Sequence, residues 1–445
     1  MQPGTEFKFN NVGLLEQVKA AYAAGGLDEC RRLLERKRDE WKNTPLNVAV
    51  IGNSGVGKSS FINSIRGLNA DDEGAAEVGV TQTIMEPRSF PHPDNPMLTF
   101  WDLPGVGTDE FPRASYLEQI DVDRYDFFLL LTADRFTEND TWLGREFQER
   151  NKKHFFVRTK IEVDISNNKK AHSKRHNEEA VVAKIRQATE EILTKHDGEG
   201  VPLFLIDSYE LDKFDFENLK LRLIADFPDL KRSSLILSLQ STSVQMIRLK
   251  VAELRFRASI MAGLSALGLV GDFFIPGTSF CVNIAVITGE TKFYFKQLGL
   301  DNESLQRYAT LHSADYERMQ SIVHNKVGIK ALRKVTFEGM KMLAKQILTL
   351  FHLSPATTTA EESTVASLVS IGLTTVPFLG THKALNVILH KFEEAAADVM
   401  QCVALSDAST EEYDVEMSVS EDAQSAGTID EEPVREEAEI DTSQS

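Results

Sequence analysis

The segment Gly52 to Ser59, "GNSGVGKS", fits the spacing G-x-x-x-x-G-K-S. A loop of this kind curls so that the backbone N–H groups of Gly52, Asn53, Ser54, Gly55, Val56 and Gly57 point at a nucleotide β-phosphate. Lys58 would reach the β and γ oxygens, and the Ser59 hydroxyl would take a position on Mg²⁺. Ser60 follows in the first turn of a helical pattern, whose positive end adds to the field on the phosphates. Lys58 is therefore a candidate for catalysis as well as for binding.

Such a loop does not choose a nucleotide, so the rest of the constellation matters. In "FWDLPGVGTDEF" an apolar strand pattern ends in Asp102, with Gly105 in D-x-x-G spacing. Asp102 would act on Mg²⁺ through water, and the Gly105 N–H would sense the γ-phosphate. In "FFVRTKIEVD", Thr159 and Lys160 match the [N/T]-K-x-D pattern of guanine sites. The lysine stem packs on the base, and a carboxylate accepts from guanine N1 and N2, donors that adenine lacks. That carboxylate is Glu162 here, with Asp164 two residues on. "FLIDSYE" offers Asp207 and Ser208 to a loop closing over the base. In "EVGVTQTIMEPRSF" a switch loop would present a threonine to Mg²⁺ and the γ-phosphate. Thr81 and Thr83 compete for that role. The candidate metal residues are thus Ser59, Asp102 and Thr83, with Thr81 the rival. The residue after Gly105 is Val106, which cannot orient a water as a glutamine does there.

The elements that must position these residues follow from periodicity. Strand patterns at 46–51, 97–102, 126–132, 154–159 and 202–206 alternate with helical patterns at 58–67, 139–152, 177–196 and 215–226. That alternation predicts an α/β fold with a mainly parallel sheet flanked by helices. Two helices precede it over 12–43, broken at "AGGL". After "DFPDLKR" the strand signal stops, and 235–405 reads as helical. The expected organisation is an N-terminal helical segment (1–44), a nucleotide-binding domain (45–232), a C-terminal helical domain (233–405) and an acidic tail (406–445).

The chain has 445 residues and a formal charge of −18. Its last forty residues hold fourteen Asp/Glu and one Arg, which leaves −5 for the rest. This tail is poor in large apolar residues and is expected to be disordered. A nearly balanced folded part predicts no nucleic-acid partner. Cys30, Cys281 and Cys402 are widely spaced, which fits a reducing compartment and excludes a zinc framework or a disulfide scaffold. The N-terminus has no secretory h-region and no glycine at position 2, and the C-terminus is no prenylation box. Two apolar stretches, 258–290 and 365–390, are interrupted by Asp272, Pro276, Gly277 and Asn283 in the first and by Pro377 in the second. They are expected to be core helices rather than membrane spans.

Taken together, "IGNSGVGKSSFINSIRGL", "GVTQTIMEP", "FPHPDNPMLTFWDLPGVGT", "YLEQIDVDRYDFFLLL", "FFVRTKIEVDI" and "FDFENL" resemble the immunity-related GTPases, the interferon-inducible p47-type group. "FIPG" and "LGLDNESL" resemble the helical domain of that family. The resemblance runs from about residue 10 to 400. It implies a Ras-like P-loop G domain and an all-helical domain built from N- and C-terminal segments. It implies GTP/GDP and Mg²⁺ as ligands and hydrolysis of GTP. It further implies homodimers or oligomers through G domains, and a cytoplasmic protein peripherally associated with intracellular membranes in cell-autonomous immunity. The P-loop is of the GKS type. Two positions depart from the pattern: TKIE stands for TKxD, and Ile84 replaces the second threonine of the switch run. Glu86 lies where family members keep an acid and is a candidate for catalytic help across a dimer. The rival readings are a GTP-loaded membrane scaffold with little turnover, and a P-loop ATPase or small-molecule kinase, in which Thr159-Lys160 would have no function.

Overall fold

The computed structural model describes residues 11–79, 86–197, 200–211, 213–268, 278–311, 314–327 and 375–425. Its strands are β1 (Leu46–Ile51), β2 (Arg88–His92), β3 (Asn95–Leu103), β4 (Phe127–Thr132), β5 (His154–Arg158) and β6 (Leu203–Leu205). They form one sheet of order β2-β3-β1-β4-β5-β6. β1, β4 and β5 are buried along almost their whole length, as a strand covered on both faces must be. β3, β1, β4, β5 and β6 are mutually parallel, with Ile51 opposite Leu103 and Leu130, and Thr132 opposite Arg158. Their carboxyl ends therefore share one edge, where ligands of open α/β sheets bind.

The helices are α1 (Asn11–Asn43), α2 (Lys58–Arg66), α3 (Arg113–Gln119), α4 (Glu138–Glu149), α5 (Ile161–Ala171), α6 (Glu178–Asp197), α7 (Phe216–Asp226), α8 (Asp229–Ser238), α9 (Val244–Gly268), α10 (Thr278–Gln297), α11 (Asn302–Leu311), α12 (Tyr316–Val327) and α13 (Thr375–Ser425). One face of the sheet packs on α2, α7 and α8, with Phe61, Ile65, Leu219, Leu223 and Leu235 in its core. The other face packs on α3, α4 and α6 through Tyr116, Leu143, Phe147 and Leu193. A third core joins α9 to α13, centred on Leu254, Tyr294, Met319, Leu389 and Phe392. α1 lays Val18, Cys30, Leu33 and Leu34 against Ile260 and Leu267 of α9. The N-terminal helix thus packs on the C-terminal block, as the family resemblance implies. α1 kinks at Gly25 and Gly26, whose backbone is not helical.

Four elements differ from expectation. α3 is one, a helix of only seven residues in which Tyr116 is buried. β2 was not anticipated. It is an antiparallel edge strand carrying Pro91, tolerated there because an edge strand leaves N–H positions unpaired. α5 was not anticipated either, since only Ile161 and Ile165 of its eleven residues are buried and its amphipathic signal is faint. At the other end, α13 runs to Ser425, so residues 406–425 continue a helix instead of starting a disordered tail. Extending a formed helix needs no new nucleus. The rest of the tail, 426–445, lies outside the described residues, as do 269–277 and 365–374 of the apolar stretches. Among the described residues, no helix is long and apolar enough to cross a membrane.

Candidate nucleotide site

The loop from Gly52 to Gly57 leaves the end of β1 at the ligand edge, and α2 begins at Lys58. Asn53, Ser54 and Gly55 are exposed at its rim, open to a ligand. Gly57 caps α2 with φ of 92°, a left-handed conformation that favours glycine. The Lys58 ammonium is buried and held in place by the loop's own carbonyls. It donates to the Gly52 and Asn53 carbonyls at 2.9 and 3.2 Å. Burial pushes its pKa down, opposed by the Asp102 charge, whose Oδ1 lies 3.9 Å away.

Asp102 sits at the end of β3, 1% exposed. Ser59 Oγ donates to its Oδ2 at 3.5 Å, while Oδ1 is buried with no hydrogen-bond partner among the described residues. Burial raises the Asp102 pKa to about 6 against the pull of Lys58 and the Ser59 hydrogen bond. A carboxylate oxygen that lacks a hydrogen-bond donor, beside a serine hydroxyl, is a pair suited to a hydrated divalent cation. Gly105 lies against the P-loop. A Cβ there would stand 3.1 Å from Asn53 Oδ1 and 3.4 Å from the Gly52 carbonyl oxygen. Only a residue without a side chain brings its N–H to this place at no cost. Val106 turns inward and packs with Leu103, Tyr116 and Phe136. Its carbonyl accepts from Asn139 Nδ2 at 2.9 Å.

On the other side, Thr159 follows β5 and is buried. Its hydroxyl donates to the Val56 carbonyl at 2.6 Å and reaches the Thr132 carbonyl at 3.1 Å, tying the base loop to the P-loop. Lys160 is in the left-handed region, φ 58°, and its Cε stands 3.9 Å from where a Gly57 Cβ would be. Its stem therefore crosses over the P-loop at the rim.

A family model described as "Interferon-inducible GTPase (IIGP)" matches residues 11–366. The chain belongs to the interferon-inducible GTPase family. It is 34% identical over 287 residues to T-cell-specific guanine nucleotide triphosphate-binding protein 2 of Mus musculus, covering 64% of this chain and 68% of that protein. Interferon-inducible GTPase 1 of Mus musculus is 31% identical, covering 73% of this chain and 78% of its own length. Interferon-inducible GTPase 5 of Rattus norvegicus is 32% identical, with 70% and 67% covered. Among solved structures, NFeoB from S. thermophilus bound to GDP.AlF4- and K+ aligns with a TM-score of 0.28 and 17% identity, over 56% of this chain and 91% of that one.

As a member of this family the chain is a GTP-binding GTPase. Glu162 lies in the first turn of α5 and is half-buried. Burial raises its pKa, countered by Lys213, while Glu178, Glu210 and Asp207 raise it further. Asp164 is engaged elsewhere: its Oδ2 accepts from Arg158 Nη2 at 2.5 Å. Asp207 is buried at the end of β6 and accepts from the Tyr209 N–H at 2.9 Å. The Ser208 carbonyl accepts from Ser64 Oγ at 2.6 Å, which fixes this loop on α2. Thr81, Thr83 and Ile84 lie outside the described residues. Glu86 is exposed, two residues before Arg88, which stands opposite Asp102 in the β2–β3 pair.

Sequence reasoning missed Tyr209, Lys213 and Asn139. Tyr209 is 70% exposed, and its hydroxyl shares a hydrogen bond of 3.2 Å with Ser60 Oγ. Its place just after Asp207-Ser208 was the available signal. Lys213 and Asn139 carried none, because each acts through a contact distant in sequence.

Proposed function

We infer that the chain binds GTP as its magnesium complex, hydrolyses it slowly as a monomer, and is activated when G domains of two copies meet on a membrane surface. The observation that carries the reading is the pairing of a prepared phosphate site with a blind water position. Lys58, the P-loop amides and the α2 terminus would compensate the phosphate charge. Ser59 and Asp102 would hold Mg²⁺, with a switch threonine beside them, and the ion when bound supplies positive charge to the phosphate oxygens. Lys160 would cover the guanine face, and Glu162 would accept from its N1 and N2 while Asp164 stays with Arg158.

Val106 is packed in the core, so nothing at that position orients an attacking water. Groups supplied in trans restore large factors in rate in such sites. Glu86 is exposed on the same side of the molecule as the end of β3, which supports its role as an acid offered to a facing copy. Peripheral membrane residence and a place in cell-autonomous immunity rest on the family resemblance.

Turnover measured over a hundredfold range of protein concentration tests the reading. Specific activity should rise with concentration and then level off, and Glu86→Ala should flatten the rise while leaving nucleotide affinity intact. Constant specific activity, with the GTP-loaded chain monomeric by light scattering, would favour a scaffold with little turnover.

A further inference from the structure

At the far end of α2 from the P-loop, the G domain meets the helical block around a cavity of about 100 Å³. Its walls come from both sides. Arg66 and Asp94 belong to the sheet domain, and Ser241, Lys250, Gln297 and Arg307 to the helices. Four cations face this space: Arg66, Lys250, Lys296 and Arg307. Two are neutralised locally, since Lys296 pairs with Asp94 at 3.0 Å and Arg307 with Glu303 at 2.9 Å. The other two are the most deeply buried, each 4% exposed.

Among the described residues, Lys250 Nζ donates to the Gln297 carbonyl alone, at 3.0 Å. Arg66 donates Nε and Nη2 to the carbonyls of Pro91 and Gly74, and its Nη1 is buried with no partner. Neither makes an ion pair among the described residues. Ser241 Oγ and Gln297 Oε1 are likewise buried without partners. Asp94 acts on Lys250 across the cavity but is itself paired with Lys296, so the two buried cations exceed the carboxylates that face them, which is costly unless something compensates them. Burial lowers the Lys250 pKa to about 7 against the pull of Asp94, and His92 is pushed down by burial, opposed by Asp94 and helped by Arg66, Lys250 and Arg307. Residues with unspent hydrogen-bonding atoms and a local charge excess thus line a space large enough for several waters.

We propose that this cavity is a binding site for a tetrahedral oxyanion of the phosphate class, which neutralises Arg66 and Lys250 together and clamps the G domain to the helical block. Arg66 can offer such an anion its remaining Nη1 donor, with Nε and Nη2 held on backbone carbonyls, and the Lys250 ammonium can act as a point charge. The site also has a mechanical consequence. Lys58 opens α2 and Arg66 closes it, so one short helix carries the nucleotide phosphates at one end and the interdomain anion at the other. The anion is either free phosphate or the phosphate group of a larger soluble molecule.

Calorimetric titration of inorganic phosphate into the full chain tests the site. The P-loop is first filled with a non-hydrolysable GTP analogue and Mg²⁺, and ionic strength is held constant with chloride. One saturable site is expected, weakened at least tenfold by Lys250→Met with analogue affinity unchanged. Arg307→Gln, at the rim, should weaken phosphate in the same direction and serves if Lys250→Met does not fold. Melting temperature gives a second readout: Lys250→Met should melt above the wild type in chloride, and phosphate should close that gap. Inositol hexakisphosphate is the second ligand. Tighter binding than phosphate, lost in the same variants, identifies a phosphate group of a larger molecule, and equal or weaker binding identifies free phosphate. No saturable heat with either ligand, or equal binding by wild type and both variants, would overturn the proposal.

Discussion

Lys58 is the only side-chain cation in the P-loop, and its ammonium is already aimed by two backbone carbonyls. A prepared charge loses little in reorganising when phosphate arrives, which is what makes such a group effective. Lys58→Ala should therefore weaken GTP binding at least tenfold, about 1.4 kcal/mol. Unchanged affinity in a titration would mean that the loop is not the site. The base end gives a sharper test, because two carboxylates competed for one role in the sequence. Their neighbours separate them: Asp164 is bonded to the buried Arg158, and Glu162 faces Lys213 and Asp207. Glu162→Ala should erase the preference for GTP over xanthosine and adenosine triphosphates, a charge-assisted contact of roughly 1.5–3 kcal/mol. Asp164→Ala should instead lower the melting temperature and leave base preference alone. If the two phenotypes are exchanged, Asp164 reads the base. Local spacing made Gly52 to Ser59, Asp102 and Gly105 legible, since each works through its own backbone or a neighbouring strand end. It was silent on Arg158, whose claim on Asp164 exists only in three dimensions.

Elements were legible in proportion to how much apolar surface they bury. β1, β4 and β5 are buried on both faces and announce themselves as apolar runs. β2 and α5 bury little, α3 is only seven residues long, and none of the three stands out in the pattern, although α5 sets the position of Glu162 and β2 brings Arg88 opposite Asp102. The contact between α8 and α9 shows what pattern reading overlooks inside a helix that it finds. Glu253 of α9 is buried, and its Oε1 accepts from Ser233 Oγ of α8 at 2.8 Å. It lines a cavity of about 290 Å³ with Lys37, Arg38, Glu40 and Arg257, and Arg232 and Asp229 act on it from α8. Burial raises its pKa from 4.5 to about 7. The folded state therefore holds this proton more tightly than the unfolded chain does. Stability from the protonated form is complete below pH 4.5 and is lost as pH rises to about 7. At about 1.4 kcal/mol per unit, the loss is on the order of 3 kcal/mol. Glu253→Gln should abolish that part of the decline, so the variant should gain on the wild type across this window and hold its advantage above it. Melting curves of the two chains that stay parallel from pH 4.5 to 8 would show that Glu253 is already ionised in the fold.

At the scale of the whole molecule, the sheet domain and the helical block are joined by both apolar and polar contacts. Met246 of α9 is buried in the sheet core and Leu237 of α8 in the helical core, while Lys296 of α10 pairs with Asp94 at 3.0 Å and Glu253 of α9 accepts from Ser233 Oγ of α8 at 2.8 Å. The exposed large apolar residues, among them Tyr22, Met97, Val163, Leu230 and Val387, come from separate elements, and no helix among the described residues is long and apolar enough to span. A formal charge of −18, most of it in the last forty residues, opposes adsorption to anionic lipid. Attachment by this chain should then be shallow and held by few contacts. Washing a membrane fraction with alkaline carbonate should release the bound pool, and high salt should not release it, because electrostatic attraction contributes little. Protein that stays with the pellet until detergent is added would mean that the stretch 258–290 or 365–390 enters the hydrocarbon, and the peripheral reading would give way to insertion.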